Sequence, residues 1–469
     1  MTLASTATTY IGATTYYDLG YVYQQTLGNN GKRIRQTNTV DDGTGRLQTA
    51  RTETENPATP GAWIERLTQN YGYDHAGNVR AVTETNAGST TSNQCLNYDG
   101  LRQLTQAWTT TSSICQANPT TAVVGGPDPY WTSYSYDNAT GNRTTEVRHA
   151  LTGTDTTRSY AYPTTGQRHT LTTVANSGGV TGTDSYTYDS TGNTKTRNIT
   201  GKPGQTLTWD SENRLASVSE SSGTTTYIYD ADGNRLVGKD PSGTTVYLPG
   251  FELRKIGTAT TCTRYVGSAT RTATAVNWVI SDAQGTGQLA IDAVTLTTTR
   301  RKTDPFGNPR GSDPAWPNQH GFINGIRDNT GLTHLGAREY EPATGRFISA
   351  DPVTSVGDPQ QLGGYSYAAN NPATNADPSG LHLPDCNGTF NQCGAHPTEP
   401  APPMDSPAPP KQPVGTPTPT PSPQPGGGSG GSGGGKPTPS PSEGLTGLCP
   451  SPTRRVVVGA ARGGAPVVG

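Results

Sequence analysis

Acidic residues in Asp-Pro pairs mark the latter part of the chain: Asp351 in "SADP", Asp358 in "VTSVGDPQQLGG" and Asp377 in "ADPSGL". Two carboxyls close enough to share a proton can divide acid–base work, one accepting a proton from water while the other donates one. Alone, each pair has a plainer explanation, because Asp-Pro opens turns. The other groupings that could do chemistry are poorer. "DADGN", Asp230 to Asn234, offers oxygens at alternate positions, but its glycine comes early and no glutamate closes a calcium loop, so it reads as a β-turn. His320 and His334 stand near no serine or cysteine motif that flags a hydrolytic triad. Cys95, Cys115, Cys262 and Cys449 lack metal-ligand spacing, whereas Cys386 and Cys393 could close a small loop outside the cell. No glycine run forms a phosphate loop, and the expectation is of no cofactor and no metal.

What must position any such residues is a chain poor in greasy side chains. Only 30% of its 469 residues are hydrophobic, with five Phe and two Met against 22 Tyr, alongside abundant Thr and Gly. That balance favours strands and turns. The net charge of −2 gives no basic face for nucleic acid, and the scattered arginines read as solvated strand positions. No apolar run is long enough to span a bilayer as a helix. The opening "MTLASTATTYIGATTYYDLG" has neither the basic start nor the apolar core of a secretory signal, and reads as the middle of a longer array.

The array is visible as self-similarity. Units begin "YGYDHAGNVRAVTE" at Tyr71, "YSYDNATGNRTTEV" at Tyr134, "YAYPTTGQRHTLTTV" at Tyr160, "YTYDSTGNTKTRNI" at Tyr186, "LTWDSENRLASVSE" at Leu207 and "YIYDADGNRLVGK" at Tyr227. A weaker copy is "LNYDGLRQLTQAW" at Leu96. From Tyr136 through Tyr162, Tyr188, Trp209 and Tyr229, the second aromatics recur at intervals of 26, 26, 21 and 20 residues, one hairpin per unit. Alternate aromatics fall on one strand face, and Asp-x-x-Gly-Asn supplies a turn. Lone hairpins are marginal in water, so successive ones are expected to pair edge to edge into one long antiparallel sheet. So few aliphatic residues suit a sheet wound around a broad, partly polar interior.

These units, "YDADGNRL" most clearly, resemble the YD repeats of the RHS and teneurin-like families, whose repeats spiral into a hollow β-shell. The resemblance runs from about Tyr10 to Leu381. It implies an all-β fold: a long antiparallel sheet of YD-repeat hairpins spiralling into a partial hollow shell. From Asp304, "DPFGNPRG", "HGFINGIRDNTGLTHLGAREYEPATGRFISADP" and "GGYSYAANNPATNADPSGL" resemble the RHS-repeat-associated core, in wording similar to actinobacterial versions. That block would close the shell and cut the chain after its last Asp-Pro-x-Gly-Leu, between Leu381 and His382. Carried over, the two catalytic aspartates fall on Asp351 and Asp377 and the supporting arginine on Arg338 in "LGAREY". Enzymatic activity would be at most that of an aspartic-type intramolecular autoprotease acting once. The longer wording after Asp351 leaves Asp358 as an alternative for the first aspartate.

The implied organisation is a poorly defined repeat remnant over 1–60, a repeat shell over 61–300, the associated core over 301–381, and a tail over 382–469. The tail's proline- and glycine-rich composition predicts disorder, and the effector domain expected there reads as absent or truncated. The leading expectation is a structural shell fragment of a secreted or cell-surface polymorphic-toxin-type protein, with its own C-terminal segment as cargo. The rival is an adhesive repeat protein that binds cell-surface glycans or the wall and is not cleaved.

Overall fold

A computed structural model of the chain describes residues 9–381 except 19, 88, 113, 354–359 and 361. Twenty-five strands, from Ala13–Tyr16 to Thr298–Arg300, form one antiparallel sheet in which each strand pairs with its neighbours in chain order. The sheet is therefore a continuous meander. Its first and last strands do not pair, so it is not closed into a barrel. Four short strands, Ile326–Arg327, Thr333–Leu335, Arg338–Glu341 and Arg346–Phe347, make a second sheet within the terminal block. His382, Asp358 and the Cys386 and Cys393 loop lie outside the described residues.

Except in the unit at Tyr160, where Pro163 stands in its place, each repeat turn is built by its aspartate. Asp230 Oδ1 accepts the Asp232 N–H at 3.0 Å and the Asn234 N–H at 2.8 Å, closing the turn on itself. Gly233 sits at φ +84°, a backbone conformation that a side chain would strain. The oxygens that resembled a calcium loop are thus spent on turn amides. The terminal block reuses the device: Asp304 Oδ1 accepts the Phe306 and Asn308 N–H groups, each at 2.9 Å.

The two aromatics of a unit do different work. The first turns inward and is buried, as at Tyr134, Tyr160, Tyr186 and Tyr227. The second reaches back across the sheet to the previous repeat. Tyr73 Oη donates to the Leu47 carbonyl at 2.8 Å, Tyr98 to Val79 at 2.7 Å, Tyr136 to Leu104 at 2.8 Å, Tyr162 to Arg143 at 3.0 Å and Tyr229 to Leu215 at 2.9 Å. Trp209, standing where the others have Tyr, donates its indole N–H to Thr194 at 2.7 Å. Strand register slips beside this aromatic at Tyr73, Tyr98, Tyr188, Trp209 and Tyr229. A bulge bends its strand and increases local twist, so these recurring bulges give the meander its curl.

The curled sheet folds around the terminal block. Tyr134 packs edge-on against Phe306 at 5.3 Å between ring centres, Thr194 Oγ1 donates to the Ile348 carbonyl at 2.7 Å, and Asn370 Nδ2 donates to the Gly141 carbonyl at 3.1 Å. The arginines read as solvated strand positions prove otherwise: Arg143, Arg197 and Arg235 are at most 5% exposed. Arg197 and Arg235 are buried against carboxylates that the block supplies, and Arg143 against Glu146 of the wall. Arg197 Nε meets Glu341 at 2.5 Å, and Arg235 meets Asp328 at 2.9 Å and Glu339 at 2.7 Å. Pairing offsets the several kcal/mol that each buried charge would otherwise cost.

At the sheet's ends, Leu27, Ile34 and Leu67 of the early hairpins share an apolar cluster with Trp278, Ile280, Leu289 and Ile291 of the late ones. Arg271 Nη1 also donates to Tyr10 Oη at 3.0 Å. Away from this join, Cys95 and Cys115 form a disulfide that fastens the loop after the strand Leu104–Thr110 back onto Ser89–Tyr98. Their spacing, which suits no metal site, gives no sign of this pairing in the sequence.

The hydroxyl contacts make a testable prediction. Tyr136→Phe removes the donor to Leu104 and is expected to lower the unfolding free energy in urea by about 1 kcal/mol. Tyr16→Phe, at a residue 62% exposed, should leave it unchanged. Equal midpoints for the two variants would remove the contact from the account.

Candidate functional site

The strand Arg338–Glu341, "REYE", is buried along its whole length. Alternation separates its duties. Glu339 and Glu341 face the wall arginines Arg235 and Arg197. Tyr340 enters a cluster with Phe322, Phe347 and Tyr367, and Arg338 lies over the Phe347 ring, 3.6 Å from its centre.

Arg338 joins the two aspartates. Its Nη2 lies 2.8 Å from Asp351 Oδ2 and 3.2 Å from Asp377 Oδ2, so one nitrogen touches both carboxyls. Its Nη1 donates to the Gly364 carbonyl at 3.0 Å, and its Nε donates to the carbonyl of Gly380. The guanidinium is thereby fixed on all sides. Asp377 is held by its own N–H, which donates to Tyr367 Oη at 3.2 Å. Asp351 Oδ1 accepts the Val353 N–H at 2.9 Å.

Burial pushes both carboxyls above the ordinary carboxylate range, Arg338 pulling each back down and Asp377 adding an upward push on Asp351. Burial also lowers the Arg338 guanidinium, which the two carboxylates oppose. The cause is shared: three ionisable groups sit in one poorly hydrated place.

The segment Asp377 to Leu381 docks directly on this centre. Asp377 Oδ1 accepts the Leu381 N–H at 3.2 Å and the Ser379 hydroxyl at 3.1 Å. The Ala337 N–H donates to the Ser379 carbonyl at 2.8 Å. The approach is close enough to require glycine on both sides. A Cβ on Gly336 would fall 2.2 Å from the Ser379 oxygen, and one on Gly380 would fall 2.3 Å from the Leu335 oxygen; both residues have positive φ. The hairpin turn at Gly336 is thus a seat for the segment that ends at Leu381.

Asp351, Asp377, Arg338 and Leu381 therefore meet at one place. Tyr367, Phe347, Gly364, Ser379 and Gly336 complete it. The sequence reading did not single out those five, although "LGAREY" contains Gly336 and "ADPSGL" contains Ser379. The two histidines of the block sit elsewhere. His334 Nδ1 contacts Glu339 at 2.8 Å within the block, and His320 Nε2 contacts Glu252 of the wall at 2.9 Å. Among the described residues no group of histidine, cysteine and acidic side chains is arranged to hold a metal ion.

Comparison with known proteins agrees with this architecture. The RHS Repeat family model matches residues 209–245, which hold the unit around "YIYDADGNRL". The tRNA3(Ser)-specific nuclease WapA of Bacillus spizizenii is 31% identical over 205 residues, covering 40% of this chain and 9% of the nuclease. The toxin subunit YenC1 of Yersinia entomophaga is 27% identical over 219 residues, covering 38% of this chain and 22% of the subunit. The chain therefore matches a minor part of each relative's length. Among solved structures, the TcdB2-TccC3 complex superposes with a TM-score of 0.57 at 21% identity, over 81% of this chain and 20% of the other. The Tc holotoxin pore of Photorhabdus luminescens gives 0.57 at 20% identity, over 80% of this chain and 19% of the other. With its recurring aromatic-Asp hairpins, the RHS Repeat model that falls on residues 209–245 and a fold shared along most of its described length, the chain is similar to RHS/YD-repeat proteins.

Proposed function

We propose that this RHS shell wall, with the block from 301 to 381 as its inner closure, cuts its own backbone once between Leu381 and His382. Asp351 and Asp377 act as the acid–base pair and Arg338 as their charged support. The observation that carries the reading is the single Arg338 nitrogen in contact with both carboxyls, while the Leu381 N–H rests on Asp377. In the reaction, the ionised carboxylate takes a proton from water as the water oxygen adds to the Leu381 carbonyl carbon and the protonated partner gives its proton to the carbonyl oxygen. When the C–N bond breaks, the first carboxyl passes its newly gained proton to the departing amine and the diol returns a proton to the partner. Arg338 favours the ionised member and keeps the pair from holding two protons. The seat at Gly336 restricts the segment before chemistry begins, which is where an intramolecular cut gains most of its rate.

The residues after 381 would be released from the wall's covalent chain by this cut and retained by enclosure, making the chain's own C-terminal segment the cargo. The toxin subunit and nuclease among its relatives support a secreted or cell-surface, toxin-type parent. The Cys95–Cys115 disulfide supports an oxidising compartment for the wall. No helix among the described residues is long and apolar enough to cross a membrane.

Intact mass spectrometry of the expressed chain tests the cut: the parent chain should yield a fragment ending at Leu381, while Asp351→Asn and Asp377→Asn remain whole. Cleavage of either variant at the same bond would overturn the assignment, and an intact parent chain with glycan affinity would favour the adhesive reading.

Acidity gives a second test. The competent state carries one proton on the pair, so cleavage should slow at low pH, where both carboxyls are protonated, and slow again as pH rises through the higher pKa. Because burial raises both groups, that upper limb should lie above the ordinary carboxylate range. Refolding denatured, uncleaved chain into buffers of increasing pH and timing the appearance of fragment measures it. A rate that climbs steadily into the alkaline range would contradict a shared proton.

A further inference from the structure

We infer that Ser133 is an activated nucleophile, relayed through His149 to Asp155 on the outward face of the wall, and that it accepts acyl groups from small activated esters. The three residues stand side by side on consecutive segments: Ser133 within Trp131–Tyr136, His149 just after Arg143–Arg148, and Asp155 just before Thr156–Ala161. Thr132 and Tyr134 are buried on the inward side, Tyr134 against Phe306, so alternation turns Trp131 and Ser133 away from the terminal block. The site is therefore separate from the Asp351–Asp377 centre.

Ser133 Oγ lies 2.8 Å from His149 Nε2, and His149 Nδ1 lies 2.8 Å from Asp155 Oδ2. An ionised carboxylate has no proton to donate, so His149 Nδ1–H donates to it. In the neutral ring Nε2 then carries a lone pair, and the serine hydroxyl donates to that lone pair. This is the order of contacts that a serine nucleophile, its general base and an orienting carboxylate require. Asp155 is well fixed for the task. Its Oδ1 accepts the Ala150 N–H at 2.8 Å and its backbone carbonyl accepts the Gly179 N–H at 3.0 Å. The Ala150 contact, with help from His149, holds the carboxyl below its usual range. Trp131 lies flat on the imidazole, 3.6 Å between ring centres at 20°, and opposes its rotation. The Asp155 side chain is 45% exposed and that of His149 17%, so solvent reaches the group.

The surroundings also select the substrate. Ser133 pairs with Gln106 on one side and Val147 on the other, so the sheet ladder engages the backbone around it. No spare pair of amides is presented there to stabilise an oxyanion, and a good leaving group must make up for that help. Activated esters meet the requirement. Ser133 Oγ bonds to the acyl carbon as its proton passes to His149 Nε2, and the alkoxide or phenolate leaves with that proton. Water, deprotonated by the same Nε2, then attacks the acyl-serine, releasing the carboxylic acid and restoring the hydroxyl.

Incubating the full chain with a fluorophosphonate probe and mapping the adduct by peptide mass spectrometry tests the inference. The adduct should form on Ser133 and be lost in Ser133→Ala. Labelling should slow by at least about a hundredfold in His149→Gln, which removes the general base. Ser135→Ala, at an exposed neighbour on the same strand, should label at the parent rate. No adduct, an adduct at another residue, or an unchanged rate in His149→Gln would overturn the proposal.

Discussion

The wall depends on a hydroxyl that reaches backward. Most repeats place a second aromatic beside a bulge, and in most of them its polar tip donates to a carbonyl of the repeat before. A sheet with few aliphatic side chains cannot rely on apolar burial alone to fix the angle between hairpins. A ring that covers its neighbour and ends in a directed hydrogen bond supplies both area and geometry. Trp209 makes the point by substitution, since its indole N–H performs the same duty with different atoms. What recurs is a flat apolar body with a donor at its far end, and tyrosine provides this most often.

Curl generated this way leaves an interior that must be filled. Aliphatic packing is not the answer here; charge is. Arg143, Arg158, Arg197 and Arg235 project inward from successive repeats and are buried. The carboxylates of Asp328, Glu339 and Glu341 in the terminal block receive two of them. Glu146, on the wall itself, pairs with Arg143 at 3.2 Å and Arg158 at 3.1 Å. Ion pairs of this kind contribute little net stability, because desolvation consumes most of the attraction, but a displaced register would strand a buried charge. They therefore act as a selector of one alignment between wall and block. The same alignment brings Arg338 to its two aspartates, since Arg338 and Glu339 are adjacent on a single strand.

Much of this was legible in the residues. Period, turn and strand content follow from local chemistry: an aspartate that closes a turn, a glycine at positive φ, aromatics at alternate positions. The grouping of Asp351, Asp377 and Arg338 was reached only through likeness of wording, because residues 26 apart meet by a path that runs through the Tyr367–Asn370 turn and the aromatic cluster. The arginines were misread for a related reason. A strand arginine looks the same whether it faces water or a carboxylate supplied by a block more than a hundred residues later, as with Arg197 and Glu341. Ser133, His149 and Asp155 were invisible because the sheet register, not any motif, aligns them.

The join between the two ends of the sheet has a mechanical meaning. Everywhere else along the wall, neighbouring strands are bound by a ladder of backbone hydrogen bonds that must rupture in concert. Between the early and late hairpins the attachment is made by side chains: the apolar cluster around Trp278, a link from Arg271 to Tyr10, the Arg300–Glu84 ion pair and the Tyr71 hydroxyl that accepts the Ala283 N–H. Apolar contact is non-directional, whereas a ladder tolerates no slip without losing its partners. Pulled sideways, the curled wall would part first along that seam, like a scroll unrolling from its free margin while the sheet behind it stays whole.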